Sequence, residues 1–436
     1  MRKFLLTAAS LILFAGCGIY GKYERPQMDI EPQCSDIRTP GWRDVFTDPM
    51  LQNLIDTALV HNTDLGVALL KVEEAEAQLR AAGLSFLPSV SLSGQAGTSA
   101  GGSVTLGASS WEIDFFGKLL NAQRGKREAL EASREGAQAI RTQIVATVAS
   151  SYYSLLMLDR QLEISRRTLL TWDKTIETLE SLKLAGRSNA VAVLQAQAKK
   201  IKLESSIVSI ESSINAAQNS ICSLLGVEPC TVERGDLEDQ VFPSAFAEGV
   251  PLYAVADRPD IRKAEALLSQ SHYAVGSARS AFFPSIVLSG NAGWKSGAGV
   301  ITDPYSWILS ALASLSQPVF NRGGLKAGLD VAKAQEQELL LSFRQLLLDA
   351  GMEVNDALCD CQAAKERSEL DVAQIDALQQ AVDKIMLLMQ YSTSNYLEVL
   401  TAQQSLLDAE LALVQDRGAE LKALVTLYHA LGGGQI

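Results

Sequence analysis

The sequence predicts a mainly α-helical protein with a small β part, built from two tandem copies of one plan. Residues 86–97 and 282–293 start 196 positions apart and agree at eight of their twelve positions. In the first copy, polar side chains alternate with apolar or small ones, which is typical of a β-strand. A helical stretch without proline follows each copy, at residues 117–185 and 325–391. These observations indicate an internal duplication with strands and long helices in each half.

The N-terminus has the features of an export signal. Two basic residues precede an apolar segment at residues 4–14, and two small residues follow it. The next residue, Cys17, completes the string LFAGC, which resembles a bacterial lipobox. We therefore expect a signal peptide at residues 1–16, a diacylglycerol and an N-acyl chain on Cys17, and a lipid-anchored extended tail at residues 17–43. The alternative is an ordinary signal peptide followed by an incidental cysteine.

Residues 44–225 are predicted to form the first repeat. Apolar residues at three- and four-residue spacing predict a helix over residues 44–85 that leads directly into a β-hairpin at residues 86–116. A long helical hairpin follows at residues 117–225. Its first helix would contain roughly 68 residues and span about 100 Å, far more than a helix of an ordinary globular domain. Gly186 is expected to end this helix, because glycine readily adopts the left-handed backbone conformation found there.

Residues 226–257 separate the repeats and differ from them in composition. They contain three prolines and several acidic residues, so we expect an irregular equatorial linker patch beside the helices. Cys222 and Cys230 flank the start of this patch. They are close enough in sequence for a disulfide bond if the chain is exported to an oxidising compartment.

Residues 258–436 repeat the plan of the first half. A helix leads into a β-hairpin at residues 282–320, and a long helical hairpin follows at residues 323–431. The last helix carries the clearest heptad pattern, which predicts left-handed supercoiling against neighbouring helices. Its apolar positions, interrupted by Gln404 and Gly418, are Leu397, Leu400, Leu407, Leu411, Val414, Leu421, Val425 and Tyr428.

Four strands per chain are difficult to place in a single copy. Two isolated hairpins would be marginally stable in water. Within a bilayer, open sheet edges cannot satisfy their hydrogen bonds, and bacterial barrels need at least about eight strands. The strands therefore predict a small transmembrane β part that several chains complete together.

Composition argues against nucleic-acid binding, and the sequence contains no recognisable enzymatic motif. The net charge is −12 and the isoelectric point is near 4.9, whereas nucleic-acid binding requires basic surfaces. His61, His272 and His429 lack metal-ligand spacing. No phosphate-binding loop, nucleophile elbow or HExxH helix occurs. We therefore expect no catalysis, no metal site and no cofactor besides the covalent lipid.

Several short motifs occur together in the order and spacing of one family. They are Arg258-Pro259-Asp260, Phe282-Phe283-Pro284-Ser285, residues 396–400, and Leu431-Gly432-Gly433-Gly434. With the lipobox, they resemble the outer-membrane efflux factors of the TolC and OprM type, especially the lipoprotein branch associated with RND pumps. The resemblance covers the chain from the lipobox to the last glycine.

This resemblance implies a homotrimer. Twelve strands, four from each chain, would close one shared β-barrel in the outer membrane, and the helices would form a hollow α-barrel through the periplasm. The implied function is a passive exit duct of a tripartite efflux system in a Gram-negative bacterium. Its partners would be outer-membrane lipid, a periplasmic adaptor (membrane fusion) protein and an inner-membrane RND-type pump. The adaptor-docking tip would comprise Gly186, Arg187, Ser188, Ser392, Thr393, Ser394 and Asn395.

By the same resemblance, the periplasmic tip is a closed gate. A second gate carboxylate and a gate arginine of some members fall on Thr401 and Asn395, so a salt-bridge lock at those positions is not implied here. We expect packing and hydrogen bonds to hold the gate instead. The simpler alternative for Glu398 is a solvated acid near the helix dipole. The gate residues implied by the family are Tyr391 and Glu398, and the packing that we expect in place of a salt bridge is that of Leu397 and Leu400.

Two other functions are compatible with the sequence. The same scaffold would serve as the outer-membrane duct of a type I protein secretion system. A non-conducting coiled-coil envelope lipoprotein is the second alternative, although the alternating strands count against it. No stripe of methionine, histidine or cysteine indicates a metal path, so the sequence does not determine the exported substrate.

Overall fold

The computed structural model describes residues 21–25, 41–97, 101–240, 257–295, 307–317, 321–390 and 396–433. The helices are α1 (Trp42–Val45), α2 (Pro49–His61), α3 (Thr63–Leu84), α4 (Lys118–Leu184), α5 (Ala190–Leu224), α6 (Pro259–Ser280), α7 (Gly324–Gln390) and α8 (Tyr396–Ala430). The strands are β1 (Ser89–Gly97), β2 (Gly101–Ile113), β3 (Ser285–Lys295) and β4 (Trp307–Ser316). The chain is therefore mainly helical, and the order of helix, strand pair and two helices occurs twice.

The chain divides into two compact units. The first, which we call the strand unit, comprises Met1–Glu31, Val67–Ala137 and Pro259–Leu347. The second, which we call the hairpin unit, comprises Pro32–Gly66, Gln138–Arg258 and Leu348–Ile436. All four strands belong to the strand unit, whereas α5 and α8 belong to the hairpin unit.

The strands form one antiparallel sheet in the order β1-β2-β3-β4. Both predicted hairpins are present, and β2 pairs with β3, so the two hairpins share a sheet. Leu106 lies opposite Leu92 in β1 and opposite Ala292 in β3. Val90 and Leu92 are exposed on the same face of β1. The sheet therefore presents apolar side chains that this chain does not cover.

The strands β1 and β3 begin later than the predicted hairpin starts at residues 86 and 282. Each begins directly after a proline, Pro88 or Pro284. In both copies, the backbone N–H of the residue before the proline donates to the carbonyl three residues earlier. The residues before each proline therefore form a turn that closes the preceding helix. Because proline lacks an N–H, it fits immediately before a strand better than inside one.

Aromatic side chains gather where the strands meet the helices. The rings of Phe116 and Phe283 stack with their centroids 4.9 Å apart. Trp111 Nε1 donates to the backbone oxygen of Phe86 at 2.9 Å, and Phe115 is exposed. Girdles of aromatic residues are typical of the boundary between membrane and water in outer-membrane proteins. The end of the sheet next to the helices thus has the composition of such a boundary.

The predicted single helix over residues 44–85 is instead the three helices α1, α2 and α3. Asp48 caps α2, because its Oδ1 accepts the backbone N–H of Met50 at 2.8 Å. Asn62 separates α2 from α3, and its Oδ1 accepts the backbone N–H of Asp64 at 2.9 Å. Both side chains satisfy N–H groups that have no partner in the first turn of a helix. The prediction missed these caps because the apolar spacing continues across them.

The long helices have matching lengths in the two repeats. α4 and α7 each contain 67 residues, and α5 and α8 each contain 35. The bounds of α4 and α7 agree to within one residue with the helical stretches predicted at residues 117–185 and 325–391. The matching lengths confirm the internal duplication. In the part of the chain that the structure describes, no helix is both long enough and apolar enough to cross a membrane.

The core of the hairpin unit contains side chains from α4, α5 and α8. Trp172 of α4, Leu203 of α5 and Leu407 of α8 are all buried in this cluster. Leu400 and Val414 of α8 lie in the same cluster, as the heptad pattern predicts. Its other buried members are Ile164, Leu179, Ala192, Val193, Ala196 and Val399. The apolar seam of α8 is therefore covered, in large part, by helices of its own chain.

Gly226 allows the chain to turn sharply at the end of α5. Its φ is +67°, its N–H donates to Ser223 O at 3.1 Å, and the N–H of Val227 donates to Cys222 O at 3.0 Å. This pair of hydrogen bonds is a Schellman cap. A Cβ at Gly226 would lie 2.8 Å from the backbone oxygen of His61. Backbone conformation and space therefore both exclude a side chain here.

Gly226→Ala is expected to lower the thermal unfolding midpoint more than Gly186→Ala does. Gly186 also has a positive φ, +74°, but a Cβ there would meet no atom within 4 Å. The Gly186 variant therefore carries only the left-handed backbone penalty, about 1–2 kcal/mol. The Gly226 variant adds a clash with the backbone of His61. Circular dichroism during heating would measure both midpoints, and equal shifts would contradict the packing described at His61.

Candidate functional site

The turn between α4 and α5 brings the first group of predicted tip residues together. Gly186 and Arg187 donate their backbone N–H groups to carbonyls at the end of α4, at 3.1 and 2.8 Å. Gly186 therefore ends α4 as predicted. Gly186 and Arg187 are exposed, Ser188 is partly buried, and Leu184 at the end of α4 is 86% exposed. This end of the helical hairpin therefore presents basic and apolar groups side by side.

The predicted gate residues at the start of α8 differ in their surroundings. Leu397 is 51% exposed and Glu398 is exposed, whereas Leu400 is 3% exposed and lies in the core of the hairpin unit. Leu400 therefore differs from Leu397 and Glu398 in being buried within its own chain. The gate itself stays a prediction. The predicted residues that lie outside the described part of the chain are Cys17, Tyr391, Ser392, Thr393, Ser394 and Asn395.

A buried hydrogen bond joins α8 to α4 close to the start of α8. Gln403 Nε2 donates to Thr175 Oγ1 at 2.9 Å, and both side chains are buried. Thr175 Oγ1 in turn donates to the backbone oxygen of Thr171 at 2.9 Å. The heptad pattern predicts that Gln404 lies on the seam. The structure buries Gln403 instead and leaves Gln404 half-buried, so the predicted register is off by one residue at this point.

Gly418 is the second interruption of the predicted heptad, and it marks a close approach between helices. A Cβ at Gly418 would lie 2.9 Å from the Sδ atom of Met157 in α4. Gly418 is itself buried. The missing side chain therefore makes room for Met157. The gap in the apolar pattern is filled by a residue from the facing helix.

One face of α5 is apolar and exposed. Leu194, Ile201 and Val208 recur every seven residues, and each is more than half exposed. Other apolar residues of the same helix, including Ala192 and Leu203, are buried in the core of the hairpin unit. α5 thus has two apolar faces, one of which its own chain covers. Exposed apolar stripes of this kind mark interaction surfaces.

A second polar cluster fixes the start of the linker patch. Tyr152 of α4 donates its hydroxyl to Asp48 Oδ2 at 2.5 Å and accepts the backbone N–H of Gly235 at 3.0 Å. Gln240 Nε2 donates to the same Asp48 oxygen at 2.9 Å. Burial and the bond to Asp48 both raise the pKa of Tyr152. The cap of α2 is therefore joined to α4 and to residues 227–240 of the linker.

Arg258, Glu353 and His429 form a cluster around the buried side chain of Arg258, which we call the Arg258 triad. Arg258 Nη1 lies 2.8 Å from Glu353 Oε2 and donates to the backbone oxygen of Ala430 at 2.9 Å. His429 Nδ1 lies 3.3 Å from Glu353 Oε1. The side chain of Arg258 is only 5% exposed. The triad therefore holds the residue before α6 against α7 and the C-terminal end of α8.

The triad lowers the pKa of its carboxyl group. The hydrogen bond from His429 is the largest cause, and the bond to Arg258 and the charge of Arg258 add to it, so the pKa of Glu353 falls from 4.5 to about 2. The sequence offered the Arg258-Pro259-Asp260 motif as a helix start. It gave no sign of Glu353, which lies 95 residues further along the chain.

The other histidines and the cysteines add no metal centre among the described residues, where no group of three metal-ligating side chains occurs. His272 Nδ1 lies 2.9 Å from Glu336 Oε1 within the strand unit. Cys222 and Cys230 are free thiols whose sulfur atoms lie 2.9 Å apart. The predicted cysteine pair is therefore together in space, and its bonding stays a prediction.

Comparison with protein families agrees with this architecture. The family model described as "outer membrane efflux protein" matches residues 54–227 and 251–433. The two matched segments contain both strand pairs and both long helical hairpins. The match therefore covers both halves of the duplication.

Comparison with individual proteins covers nearly the whole chain. The cation efflux system protein CusC of Escherichia coli O6:H1 is 31% identical, over 99% of this chain and 98% of that protein. The toluene efflux pump outer membrane protein TtgC of Pseudomonas putida is 30% identical, over 100% of this chain and 96% of that protein. The open state of the MtrE outer membrane channel of Neisseria gonorrhoeae has a TM-score of 0.83 at 28% identity, over 95% of this chain and 98% of that one.

Glu353→Gln is expected to destabilise the protein at pH 7 and to have little effect at pH 2. Because the folded-state pKa of Glu353 is depressed, its charge stabilises the fold above about pH 4.5, and this contribution is lost as the pH falls towards about 2. Removing one partner of a fully buried pair costs about 3–5 kcal/mol. Glu353 is about one-third exposed, so we expect about 1–2 kcal/mol at pH 7.

Thermal unfolding midpoints of the wild type and of Glu353→Gln, measured from pH 7 to pH 2, would test this expectation. The difference between the two unfolding midpoints should disappear as the pH falls from about 4.5 to about 2. Glu369→Gln is the matched control, because Glu369 is an exposed carboxylate on the same helix. A difference that stays constant with pH would contradict the ionic role of Glu353.

Proposed function

Because this chain belongs to the outer membrane efflux protein family, we propose that three copies of it form the passive exit duct of a tripartite efflux system. The protein is an outer-membrane efflux channel of a Gram-negative bacterium. The family match across both repeats carries the proposal, since each repeat supplies one strand pair and one long helical hairpin. The family consists of channels, and we assign no catalytic step to this chain.

The open sheet supports assembly from several copies. β1 and β4 lie at the edges of the four-stranded sheet, so each has one side without a partner strand in this sheet. Lipid cannot satisfy the backbone groups on that side. Three chains would supply twelve strands, and β1 of one copy would pair with β4 of the next. The exposed side chains of Val90 and Leu92 suit the lipid-facing surface of such a barrel.

The helices would be joined by the exposed stripe on α5. Leu194, Ile201 and Val208 have the seven-residue spacing that coiled-coil helices use to contact each other. In the proposed trimer, this stripe packs against a helix of the neighbouring copy. A second copy is the occupant expected here, because the same assembly is needed to close the sheet.

The gate is proposed to lie at the start of α8. Leu397 and Glu398 are exposed there, and three copies of Glu398 near a threefold axis would attract cations into the narrow end of the duct. Thr175 and Gln403 hold α8 to α4 about one and a half turns further along. Opening at the tip would therefore either break this buried hydrogen bond or move both helices together.

The tip and the tail are the proposed contact points with other components. At the tip, exposed Leu184, Gly186 and Arg187 would meet a periplasmic adaptor, and the duct would face an inner-membrane RND-type pump that powers transport. The tail is proposed to carry a diacylglycerol and an N-acyl chain on Cys17. A relative supports this lipid, since SilC of Salmonella typhimurium is described as a probable outer membrane lipoprotein at 28% identity.

The cargo of the duct is proposed to be chosen by its partners. CusC is named for cation efflux and TtgC for toluene efflux, yet the two are 31% and 30% identical to this chain. Overall similarity therefore favours neither kind of substrate. A passive duct of this kind would accept what the adaptor and pump deliver.

Ile201→Glu is expected to convert the trimer to monomers in detergent, because it places a charge inside the proposed interface between copies. Ser206→Glu introduces the same side chain at an exposed position of α5 away from the stripe, and it should leave the trimer intact. Size-exclusion chromatography with light scattering would measure the mass of each variant. A monomeric wild type would contradict the assembly, and a trimeric Ile201→Glu variant would remove the stripe from the interface.

Glu398→Gln is expected to reduce the preference for cations in single-channel recordings on planar lipid bilayers. The substitution removes one negative charge per chain from the proposed ring and keeps the size of the side chain. The reversal potential under a salt gradient measures this preference. Glu180→Gln is the control, because Glu180 is exposed on α4 near the other tip turn. If Glu398→Gln leaves the reversal potential unchanged, Glu398 is not part of the gate.

The same recordings test the proposed function as a whole. Wild-type trimers should conduct ions across a bilayer. Stable trimers that carry no current would instead favour the non-conducting coiled-coil envelope lipoprotein.

A further inference from the structure

We propose that Cys222 and Cys230 form a disulfide bond in the mature protein, which fastens the last turn of α5 to residues 227–240 of the linker. The bond goes beyond the transport function and rests only on the export of the chain to the outer membrane. Cys222 is buried, whereas Cys230 is exposed. One sulfur atom is therefore held inside the fold, and the other is accessible to an oxidant.

The two side chains are already in contact as free thiols. Their sulfur atoms lie 2.9 Å apart, whereas non-bonded heavy atoms pack best at about 3.5–4.0 Å. The backbone N–H of Cys230 donates to Cys222 Sγ at 3.3 Å. Bond formation would require the sulfur atoms to approach by less than about 1 Å. Little movement of the backbone is therefore needed.

Groups other than the thiols position this pair. The Schellman cap at Gly226 joins Val227 N to Cys222 O at 3.0 Å, which fixes the direction of the chain after α5. Asn62 Nδ2 donates to the backbone oxygen of Leu224 at 3.0 Å and holds the same turn from the other side. The contact between the cysteines therefore follows from the turn that brings residue 230 back over the end of α5.

A disulfide fits the pair better than a metal ion does. In a tetrahedral zinc site, each thiolate lies about 2.3 Å from the metal, so two thiolates are separated by about 3.7 Å. The sulfur atoms here are closer than that. Among the described residues, no third metal-ligating side chain completes a site. Oxidation is therefore the chemistry that this geometry favours.

The reaction needs a two-electron acceptor, which we take to be the disulfide of a thiol–disulfide oxidoreductase in the periplasm. The thiolate of Cys230 attacks this disulfide, and one sulfur of the oxidoreductase leaves as a thiolate. The thiolate of Cys222 then attacks Cys230 Sγ and releases the second sulfur. The two cysteines lose two protons and two electrons, and the oxidoreductase becomes a dithiol.

The bond would secure a segment that joins several parts of the hairpin unit. Beyond Cys230, Arg234 Nη2 donates to Asp159 Oδ1 of α4 at 2.9 Å. Further along, Gly235 and Gln240 bind Tyr152 and Asp48, as described above. A covalent link at Cys230 limits how far this segment can move when those hydrogen bonds open. The expected result is slower local opening of residues 227–240.

Mass spectrometry of the full-length protein would test the bond directly. The protein is exported in cells with an oxidising periplasm, quenched in acid, denatured, and treated with N-ethylmaleimide before and after reduction. We expect the peptides of Cys222 and Cys230 to be linked and unlabelled before reduction, and labelled afterwards. Cys359 and Cys361 are the internal control, because both are free cysteines on α7 that should react without reduction. Labelling of Cys222 and Cys230 without reduction would overturn the proposal.

The variant Cys222→Ser/Cys230→Ser separates this proposal from the transport function. It should conduct ions like the wild type, unfold roughly 5 °C lower, and be cleaved faster by protease within residues 227–240. Reducing the wild type should reproduce both changes, and reducing the variant should add nothing. If the linked peptide is found but stability and cleavage are unchanged, the bond forms without fastening the segment, which would overturn the second part of the proposal.

Discussion

The structure depends on one constraint, which is that a sheet placed in lipid must have no unpaired edge. The chain provides four strands in simple up-and-down order, and this order leaves β1 and β4 at the edges. No rearrangement of four strands can close a barrel by itself, because their number is too small. The need to pair these edge strands explains several features of the sequence. The strands carry small and apolar side chains, each half supplies a matching pair, and α5 has a second apolar face that its own chain leaves exposed.

The hairpin unit meets a different requirement, which is to hold long helices side by side. Most of the seam of α8 is apolar and buried, and Gly418 lets Met157 of α4 fit tightly against it. Close to the start of α8, the seam contains a polar contact, because Gln403 and Thr175 form a hydrogen bond where the rest of the seam has apolar side chains. A buried hydrogen bond is directional, so it fixes the register of the two helices more sharply than apolar packing does.

The elements that depend on local sequence were predicted well. The duplication, both hairpins, the bounds of α4 and α7, and the helix stop at Gly186 all follow from spacing and from glycine chemistry within a few residues. The breaks at Asp48 and Asn62 were missed, although both are good capping residues, because the apolar spacing continues across them. The joining of both hairpins through β2 and β3 depends on residues far apart in the chain. The residue pattern within one segment cannot show which distant strand that segment pairs with.

The site was predicted less completely, for the same physical reason. The Arg258 triad combines residues from three distant segments, and the sequence indicated only the local motif at Arg258. Leu400 illustrates a different limit, because its heptad position predicts burial but does not say whether its own chain or another copy covers it. The structure places it in the core of its own chain.

The equal lengths of the paired helices restrict how this molecule can evolve. Inserting one residue in α4 would turn every later side chain of that helix by about 100° and move its end by about 1.5 Å. α4 would then be longer than α7, which keeps its 67 residues. Tolerated insertions in these helices must therefore come in coordinated pairs and in multiples that restore the original faces. Drift in length is far easier in the loops outside them.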